Sequence, residues 1–406
     1  MPRPKGSKNK KTLERESALA APKASAKKAA KADKETAKVA AKALKSSAKA
    51  TKATPRRTYP ETIGVGIIGA GGIARGVHIP GYQKLSNVKV VAVSDPVEAA
   101  REGAAQQFGI ENTFADFREM LKRDDIHVIS VTTPNFLHAE ATIAALEAGK
   151  QVLCEKPLAM NAQEGEAMVA ASQRTGNKLM CGYHFRFTPA VQMLKRFAEA
   201  GEFGDMYYAR TQALRRRGIP GWGLFISKEK NGGGPLIDIG VHMLDSTLHV
   251  LGFPKVIAVS GQTYQKFGKR KDVLGLMGQW DYKNFTVEDF ATAQIRFENG
   301  ATLTLEASFV ANMEESEKMT FQIFGDKGGC QFNPLKMFTE RNQTLLDITP
   351  AYLPGNVQPH HAQIASFIDS VVNDTPVYTP GEQALQVTRI IDAIYKSGEE
   401  NREIVL

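Results

Sequence analysis

The chain of 406 residues contains little cysteine and no long apolar run, and each shortage excludes a class of protein. Its three cysteines, Cys154, Cys181 and Cys330, are too few and too scattered for a disulfide framework or a zinc site, so a reducing cytoplasm is the expected compartment. Because no stretch of about 18 consecutive apolar residues occurs, no membrane span is expected. The remaining composition is that of a globular protein with room for two ordinary domains.

Residues 1–60 lack large apolar side chains almost completely and consist mainly of Lys, Ala, Ser and Thr. Nothing in this segment can be buried to offset the entropy of ordering it, so a disordered tail is expected. The tail holds 18 Lys or Arg and four Asp or Glu, which leaves 34 basic and 39 acidic residues in the body. The net charge of +9 therefore belongs to the tail, and it does not indicate a nucleic-acid role for the whole protein.

Two interpretations of the tail remain open. Residues 2–10 resemble a minor-groove-binding peptide, and the later Lys/Ala run resembles a linker-histone tail. Either could make a weak contact with nucleic acid or another polyanion through counterion release. The alternative is a solvated tail without a specific partner.

The chain does contain an apolar strand, a glycine turn and a helix start in residues 63–74, followed by a second apolar strand that ends on Asp95. This order and spacing predict a dinucleotide-binding βαβ unit. Gly69 permits the tight turn, Gly71 lets the backbone approach a pyrophosphate, and Ala74 lets the helix pack closely on the sheet. The helix start also directs free N–H groups at the phosphates. The predicted cofactor contacts of this turn are Gly69, Gly71, Gly72, Ile73 and Ala74.

Asp95 sets the expected cofactor preference. Its carboxylate would accept hydrogen bonds from the adenosine ribose hydroxyls and would repel a 2′-phosphate, which favours NAD over NADP. A competing glycine frame, Gly64, Gly66 and Gly69, matches the same pattern. We set it aside because it would place the turn inside the apolar strand.

From residue 63 to about residue 182, apolar strands alternate with amphipathic helices, which is typical of a parallel, doubly wound Rossmann sheet. The predicted strands are Gly64–Ile68, Val88–Ser94, Val128–Thr132, Gln151–Cys154 and Lys178–Cys181. The predicted helices are Val97–Phe108, Asp116–Lys122, His138–Ala148 and Ala162–Thr175.

The second half of the chain predicts one helix, Pro189–Ala200, and then a series of strands. These are Met206–Ala213, Val256–Tyr264, Phe290–Phe297, Ala301–Val310 and Lys318–Phe324. Their alternating pattern favours a large, open, mainly antiparallel sheet in an α+β domain, with one face exposed or covered by a partner. The expected organisation is a tail (1–60), an NAD-binding domain (61–183), a substrate-binding and oligomerisation domain (184–382), and a last helix (383–406) that returns to the first domain.

Candidate site residues follow the predicted strands, at the carboxyl ends where open α/β sheets bind ligands. Thr133, Asn135 and His138 follow one strand and are expected to line the cofactor site. Glu155 and Lys156 follow the next strand and are also expected to contact the cofactor, although a plain surface loop is the alternative there.

Arg186 comes just after the last strand of the first domain and is a further candidate for the cofactor site. An interdomain salt bridge is the alternative role for its guanidinium group.

A second cluster lies in residues 232–245, where three glycines and a proline precede a predicted helix. Asp238 and His242 are four residues apart on one helix face, and Asp245 comes three residues later. Acid–base chemistry, metal binding and a buried structural histidine all remain open for this group. Gly240 is costly inside a helix, which suggests the close approach of a sugar or a nicotinamide ring.

Taken together, these residues resemble the glucose-fructose oxidoreductase/inositol dehydrogenase (Gfo/Idh/MocA) family over about residues 62–404. The resemblance is carried by five stretches in order along the chain. They are residues 69–74, residues 133–138, Glu155-Lys-Pro157, residues 232–242 and Val287-Glu-Asp289. It implies a Rossmann domain followed by a domain whose open sheet often forms homodimers or homotetramers.

The resemblance also implies a mechanism. His242 would be the general base for a substrate hydroxyl, Lys156 would polarise the same oxygen, and Asp238 would orient both, without a metal. Lys156, Asp238 and His242 would also bind substrate. NAD would accept the hydride. The implied substrate is a carbohydrate, polyol or glycoside.

A loop at residues 215–225 is expected to cover the site. Trp222 could stack on a sugar face, and Arg215 or Arg217 could bind hydroxyl or acidic groups. The alternative is a loop that packs on the other domain.

Two other functions remain open. One is an NAD-dependent glycosidase that oxidises its sugar only transiently. The other is a non-catalytic nucleotide- or sugar-binding protein with a DNA-associating tail.

Overall fold

The computed structural model describes residues 58–355 and 358–406, and the predictions for residues 1–57 lie outside the described residues. Within those two ranges, no helix has both the length and the apolar character needed to cross a membrane. The described residues build two sheets, which we treat in chain order.

The first sheet consists of β1 Ile63–Ile68, β2 Val88–Ser94, β3 Asn112–Phe114, β4 Val128–Val131, β5 Gln151–Cys154 and β6 Leu179–Cys181. All six strands are parallel, in the order β3-β2-β1-β4-β5-β6. The predicted doubly wound sheet is confirmed; β3, which has three residues, was not predicted because it is too short to show a pattern. The strand order reverses between β1 and β4, and this reversal opens a crevice at their carboxyl ends.

Helices pack around this sheet and return the chain between its strands. They are α1 Ile79–Gln83, α2 Glu98–Phe108, α3 Phe117–Leu121, α4 His138–Glu147 and α5 Ala162–Thr175, followed by α6 Pro189–Glu199. The ends of α5 show why the sequence forms helices there. The Asn161 side chain accepts a hydrogen bond from the Glu164 N–H at 2.9 Å, and Gly176 ends the helix with a left-handed φ of 69°.

The competing glycine frame is excluded by the packing of β1. A Cβ atom on Gly64 would lie 1.8 Å from the Asp125 carbonyl oxygen, and one on Gly66 would lie 2.8 Å from the Ile129 side chain. Both glycines therefore belong to the buried strand, where they let neighbouring chain approach closely.

The second sheet has nine strands in the order β14-β13-β12-β11-β7-β10-β9-β8-β15. In chain order they are β7 Met206–Arg215, β8 Val256–Tyr264, β9 Phe290–Phe297, β10 Thr302–Ser308, β11 Glu317–Gly325, β12 Gly328–Gln331, β13 Lys336–Arg341, β14 Thr344–Ile348 and β15 Ile404–Val405. β7 and β10 are parallel, and the other pairs are antiparallel. The expectation of a mainly antiparallel sheet is confirmed.

The second half also contains the helices α7 Lys228–Asn231, α8 Val241–Leu251, α9 Pro359–Asn373 and α10 Gly381–Glu400. Of these, α8 and α10 cover one face of the second sheet, whereas α7 contacts the turn after β4 and α9 packs on α1 of the first domain. Helix α8 packs on β7 and β11, while α10 contacts both β8 and α5. On β10, Leu303 and Leu305 are buried, and the alternate residues Thr304 and Glu306 are partly exposed on the other face.

Four strands (β12, β13, β14 and β15) and two helices (α7 and α9) of the second half were not predicted, and residues 404–405, expected to belong to the last helix, form β15. β12 contains two glycines, and β13 and β14 are short strands at the sheet edge joined by Asn342 and Gln343, which both have positive φ. Their partly exposed faces leave no strong apolar alternation. Helix α9, in contrast, does carry a signal, because Ile364, Phe367 and Val371 recur at helical spacing and are buried.

Candidate active site

The glycine turn after β1 leaves room for a ligand beside the backbone. Gly69 has φ +98°, and a Cβ atom there would lie 2.7 Å from the Thr132 carbonyl oxygen, so the turn requires glycine. A Cβ atom on Gly71 or Gly72 would meet no atom of the described residues within 4 Å. Ala74 is fully buried and begins a π-helical segment, Ala74–His78, that continues into α1. The close backbone approach that a pyrophosphate requires is therefore available here.

Asp95 lies at the carboxyl end of β2 and supports the glycine turn directly. One carboxylate oxygen accepts the Ala70 N–H at 2.8 Å, and the other accepts the Val97 N–H at 2.9 Å. Each oxygen retains a second lone pair for another donor, and the side chain is partly exposed. This geometry fits a carboxylate that also accepts from ribose hydroxyls.

A cavity of about 320 Å³ opens beside the turn. Among the residues that line it are Ile73, Thr133, Asn135, His138, Glu155 and Lys156. Thr133 Oγ1 is buried and has no hydrogen-bond partner among the described residues. A buried hydroxyl without a partner is costly, so this atom fits a site that a polar ligand completes. Together with the open glycine turn, it shows that the residues present suit a dinucleotide.

Asn135 also connects the two sides of the crevice. Its amide donates to the backbone and side-chain oxygens of Asn231, both at 2.9 Å. Asn231 ends α7 and lines the same cavity, so the loop after β4 is fastened to the second domain beside the expected nicotinamide position.

Glu155 is a buried carboxylate whose partner the sequence did not reveal. Its Oε1 lies 2.8 Å from His78 Nε2, and the other ring nitrogen of His78 lies 2.7 Å from Ser130 Oγ. Burial alone would raise the pKa of Glu155, but the hydrogen bond and charge of His78, together with Lys156, lower this pKa to about 2. Glu155 therefore stays ionised next to Lys156.

Lys156 reaches across the crevice to the second domain. Its ammonium nitrogen lies 2.9 Å from Asp238 Oδ1 and 3.0 Å from the Asp238 carbonyl oxygen. The Lys156 side chain is 19% exposed and that of Asp238 is 9% exposed, so the pair keeps an opening towards a cavity. A third donor position of the ammonium remains available for a ligand oxygen.

Asp238 and His242 lie on a helical segment whose first N–H groups are hydrogen-bonded to Glu288. The Glu288 carboxylate accepts the N–H groups of Gly234 at 2.9 Å and Leu236 at 3.1 Å, and the hydroxyl of Tyr395 at 2.9 Å. The segment begins as a π-helical turn, Leu236–Gly240, and continues as α8. The carboxylate satisfies N–H groups that a helix start leaves without partners.

Gly240 has a packing role that differs from the expected ligand approach. A Cβ atom there would lie 3.0 Å from the Cβ of Ala307 on β10. The close neighbour is therefore a strand of the second sheet rather than a sugar or a nicotinamide ring.

His242 is 7% exposed, and its Nδ1 has no hydrogen-bond partner among the described residues. Burial lowers the pKa of its imidazole well below 6.5. The positive charge of Lys156 and the electrostatic interactions with His184 and His360 lower this pKa further. A neutral imidazole with an unused ring nitrogen can accept a proton.

A second cavity, of about 310 Å³, brings the predicted groups together. Lys156, Asp238 and His242 all line it, and so does Trp222, which is 56% exposed at its rim. The two cavities share Lys156 and Asp238. The arrangement can therefore hold an oxygen between an ammonium group and a neutral imidazole.

Of the two loop arginines, the structure brings Arg215 rather than Arg217 to this cavity. Arg215 lines it and pairs with Glu317 at 3.0 Å. Arg217 is held elsewhere, because its guanidinium donates to the Ala311 carbonyl at 3.1 Å and to the Asn312 side chain at 2.8 Å. Of the two candidates, Arg215 is thus the one placed beside this cavity, and the binding of substrate by Arg217 or Arg215 stays a prediction.

Arg186 also has a role different from the expected cofactor contact. Its guanidinium forms two hydrogen bonds with the Asp245 carboxylate, at 2.9 and 2.6 Å, and neither side chain has exposed surface. A group without exposed surface in this structure has no atom available to a nucleotide. Arg186 instead forms a buried salt bridge from the turn after β6 to α8, and Asp245 is its partner rather than a companion of His242.

Two histidines near the site gave no sequence signal. The ring of His184 lies 5.0 Å from that of His242, edge to face, and stacks on the ring of His360 at 3.7 Å. His360 begins α9, far away along the chain, so only the fold brings these rings together. Within the two described ranges, no group of three or more His, Cys, Asp or Glu residues could hold a metal ion.

Two family models match this chain. The oxidoreductase family, NAD-binding Rossmann fold, matches residues 63–183, and the oxidoreductase family, C-terminal alpha/beta domain, matches residues 195–406. D-glucoside 3-dehydrogenase from Escherichia coli K12 is 36% identical over 342 residues, which are 84% of this chain and 97% of that protein.

Levoglucosan dehydrogenases are similar in both sequence and structure. The protein from Pseudarthrobacter phenanthrenivorans is 34% identical over 67% of this chain and 74% of its own length. A solved levoglucosan dehydrogenase in complex with NADH and levoglucosan superimposes with a TM-score of 0.74 and 26% identity. That comparison covers 85% of this chain and 99% of the solved chain.

Proposed function

The chain belongs to the Gfo/Idh/MocA family of oxidoreductases with an NAD-binding Rossmann domain, and from this membership we propose that it oxidises or reduces a secondary alcohol of a sugar, polyol or glycoside with NAD as the hydride carrier. One observation carries the proposal. Lys156 from the end of β5 and His242 from α8 line the same cavity, with Asp238 bonded to the lysine.

The chemistry divides between the cofactor and three side chains. When bound, NAD supplies the nicotinamide that exchanges the hydride. His242, whose ring borders the cavity, accepts the hydroxyl proton, because its lowered pKa keeps the imidazole neutral and able to bind a proton. Lys156 donates a hydrogen bond to the same oxygen and stabilises its developing negative charge. Asp238 fixes the lysine ammonium from the side at 2.9 Å.

The cofactor is held by groups on both sides of the crevice. The open backbone at Gly71 and Gly72 accommodates the pyrophosphate, and Thr133 and Glu155 hold the nicotinamide half. Asp95 accepts from the adenosine ribose, and its negative charge disfavours the 2′-phosphate of NADP. We therefore propose NAD as the preferred carrier.

The substrate class follows from the cavity and from the relatives. Trp222 offers an aromatic face at the rim, and the Arg215–Glu317 pair offers donors and acceptors to hydroxyl groups. The proteins similar to this chain act on a D-glucoside, on levoglucosan and, at 28% identity, on scyllo-inositol, by their names. A cyclic polyhydroxy compound with a secondary alcohol fits these groups.

We further propose that the chain assembles as a homodimer or homotetramer through the open face of its large sheet. That face presents polar side chains, among them Arg210, Gln212, Thr304 and Glu306, and helices cover the opposite face. Light scattering of the purified protein tests this assembly. The three cysteines are buried and free, which suits the reducing cytoplasm that we propose as its compartment.

The central experiment is a panel of glycosides, anhydrosugars and inositols, with absorbance of NADH as the readout. Net NADH accumulation with at least one compound supports a dehydrogenase. Product release without NADH accumulation would instead favour the glycosidase. The Lys156→Ala variant serves as the matched control and should give no signal, and absence of turnover with every compound in both directions would refute the proposal.

A further inference from the structure

Both ring nitrogens of His138 face oxygen atoms that can only accept hydrogen bonds. Nδ1 lies 2.7 Å from the Pro157 carbonyl oxygen, and Nε2 lies 3.0 Å from the Thr133 carbonyl oxygen. The residue is 1% exposed, so water cannot replace either partner. A neutral imidazole has one N–H group and would direct its other lone pair at a carbonyl lone pair. The contacts are satisfied together when both nitrogens carry a proton.

We infer that His138 is a buried imidazolium that clamps the Thr133 loop to the Lys156 loop and whose fixed positive charge makes the site favour reduced over oxidised nicotinamide cofactor. The inference deepens the proposed function, since it rests on the cofactor lying in this cavity, but it does not depend on the identity of the substrate. His138 is therefore a positioning residue for Lys156.

The charges around His138 support this state. Burial acts to lower its pKa, but the Cys154 sulfur and the two carbonyl oxygens raise the pKa to about 9. Glu155, Lys156 and Lys230 also line the cofactor cavity. Of these, Glu155 is bonded to His78 and Lys156 to Asp238. Within the described residues, His138 forms no ion pair with a carboxylate, so its charge is not cancelled by a direct acidic partner.

The charge acts on the two cofactor forms differently. The nicotinamide ring is positively charged in NAD⁺ and neutral in NADH. A fixed cation on the wall of the same partly dehydrated cavity repels the first form and leaves the second unaffected. Removal of the charge should therefore improve the binding of NAD⁺ relative to NADH.

The first test is nitrogen NMR of the histidine rings in the free protein between about pH 7 and pH 8, with the His138→Asn variant for assignment. Two protonated ring nitrogens on His138 support the inference, and one unprotonated nitrogen overturns it. The Cys154→Ala variant separates the causes. Both protons should remain, because the carbonyl acceptors remain; their loss would show that the sulfur holds the charge and would overturn the clamp.

The second test compares dissociation constants for NAD⁺ and NADH, measured by titration without substrate. In His138→Gln, the ratio of the NAD⁺ constant to the NADH constant should fall about three- to tenfold. The matched control is Lys230→Gln, which removes a half-exposed cation of the same cavity and should change the ratio less. A ratio unchanged in His138→Gln, or an equal fall in the control, overturns the electrostatic role. If His138→Gln does not fold, the NMR of the natural protein still decides the protonation state.

Discussion

Two cation–carboxylate pairs join turns that follow strands of the first sheet to the same helical segment, and they differ in what surrounds them. Lys156 pairs with Asp238 at the edge of two cavities, with 19% and 9% of the side chains exposed. Arg186 pairs with Asp245, which follows Asp238 by seven residues in the sequence, and neither side chain is exposed. The residue types are nearly the same, but one pair has room for a ligand and the other has none.

The comparison shows that the two pairs differ in whether a ligand can reach them, rather than in their charges. The sealed arginine satisfies its remaining donors within the protein, through the Tyr378 carbonyl at 3.2 Å and the Gln383 side chain at 2.5 Å. The lysine keeps a donor for a ligand. Burial raises the pKa of Asp245 although Arg186 opposes this rise, which reflects the cost of a charge without solvent.

The largest expected effect concerns the sealed pair. Arg186→Met leaves a buried carboxylate without its cation, and the free energy of unfolding should fall by about 3–5 kcal/mol. The double variant Arg186→Met/Asp245→Leu removes both charges and should recover most of that loss. Urea unfolding measures both values. A single variant as stable as the natural protein would show that the sealed pair does not stabilise the fold.

The open pair should respond in the opposite way. Lys156→Ala removes the donor to the reacting oxygen, so turnover should fall by about 10²-fold or more, with little change in the NAD dissociation constant. Stability should change less than in Arg186→Met, because Asp238 retains partial access to solvent. Lys122→Ala, which removes an exposed lysine paired with Glu119, is the control and should keep full turnover. Steady-state kinetics with the best compound of the panel decides the outcome.

The pH dependence of turnover tests the proposed base beside the open pair. Because the pKa of His242 lies well below 6.5, its imidazole stays neutral as the pH falls from about 8 to about 6. The rate limited by this base should therefore stay level in that range and fall only at lower pH. His242→Gln should reduce turnover by about 10²-fold. A fall in turnover centred near pH 6.5 that is absent in His242→Gln would contradict the lowered pKa of His242.

The smallest effect concerns a third carboxylate, Asp95, which backbone N–H groups hold in place of a cation. Asp95→Asn removes the negative charge and keeps an oxygen acceptor for only one of the two N–H groups, because the other terminal atom becomes an NH2 donor. We expect NAD to bind about tenfold more weakly and the preference for NAD over NADP to narrow. Titration with both nucleotides measures the change, and an unaltered preference would remove Asp95 from the proposed ribose contact.

The first sheet was predictable because its signals are local. Buried strands of three to seven residues alternate with helices, and the Asn161 cap and Gly176 end are visible in the sequence. The edge strands β13 and β14 were not predictable, since exposed strands carry little apolar alternation. Helix α9 was missed although its apolar spacing was present.

The site was predictable where a side chain follows a strand end, and less so where tertiary partners decide its role. Lys156 could be identified from its position after β5. Arg186 could not be assigned in the same way, because its partner Asp245 is 59 residues away in sequence. The role of Gly240 depends equally on Ala307, a residue of another element. The His184–His360 stack depends on α9 docking and has no local pattern.

Glu288 has a consequence for how this site can change. Its carboxylate joins the start of the segment that bears His242 to Tyr395 on α10, and neither Glu288 nor Tyr395 lines the cavity of His242. The mouth of that cavity is formed by other residues, among them Arg215 and Trp222. The segment that carries His242 is thus anchored by residues that do not line the cavity, so substitutions at Arg215 or Trp222 can change the shape of the cavity without moving the imidazole.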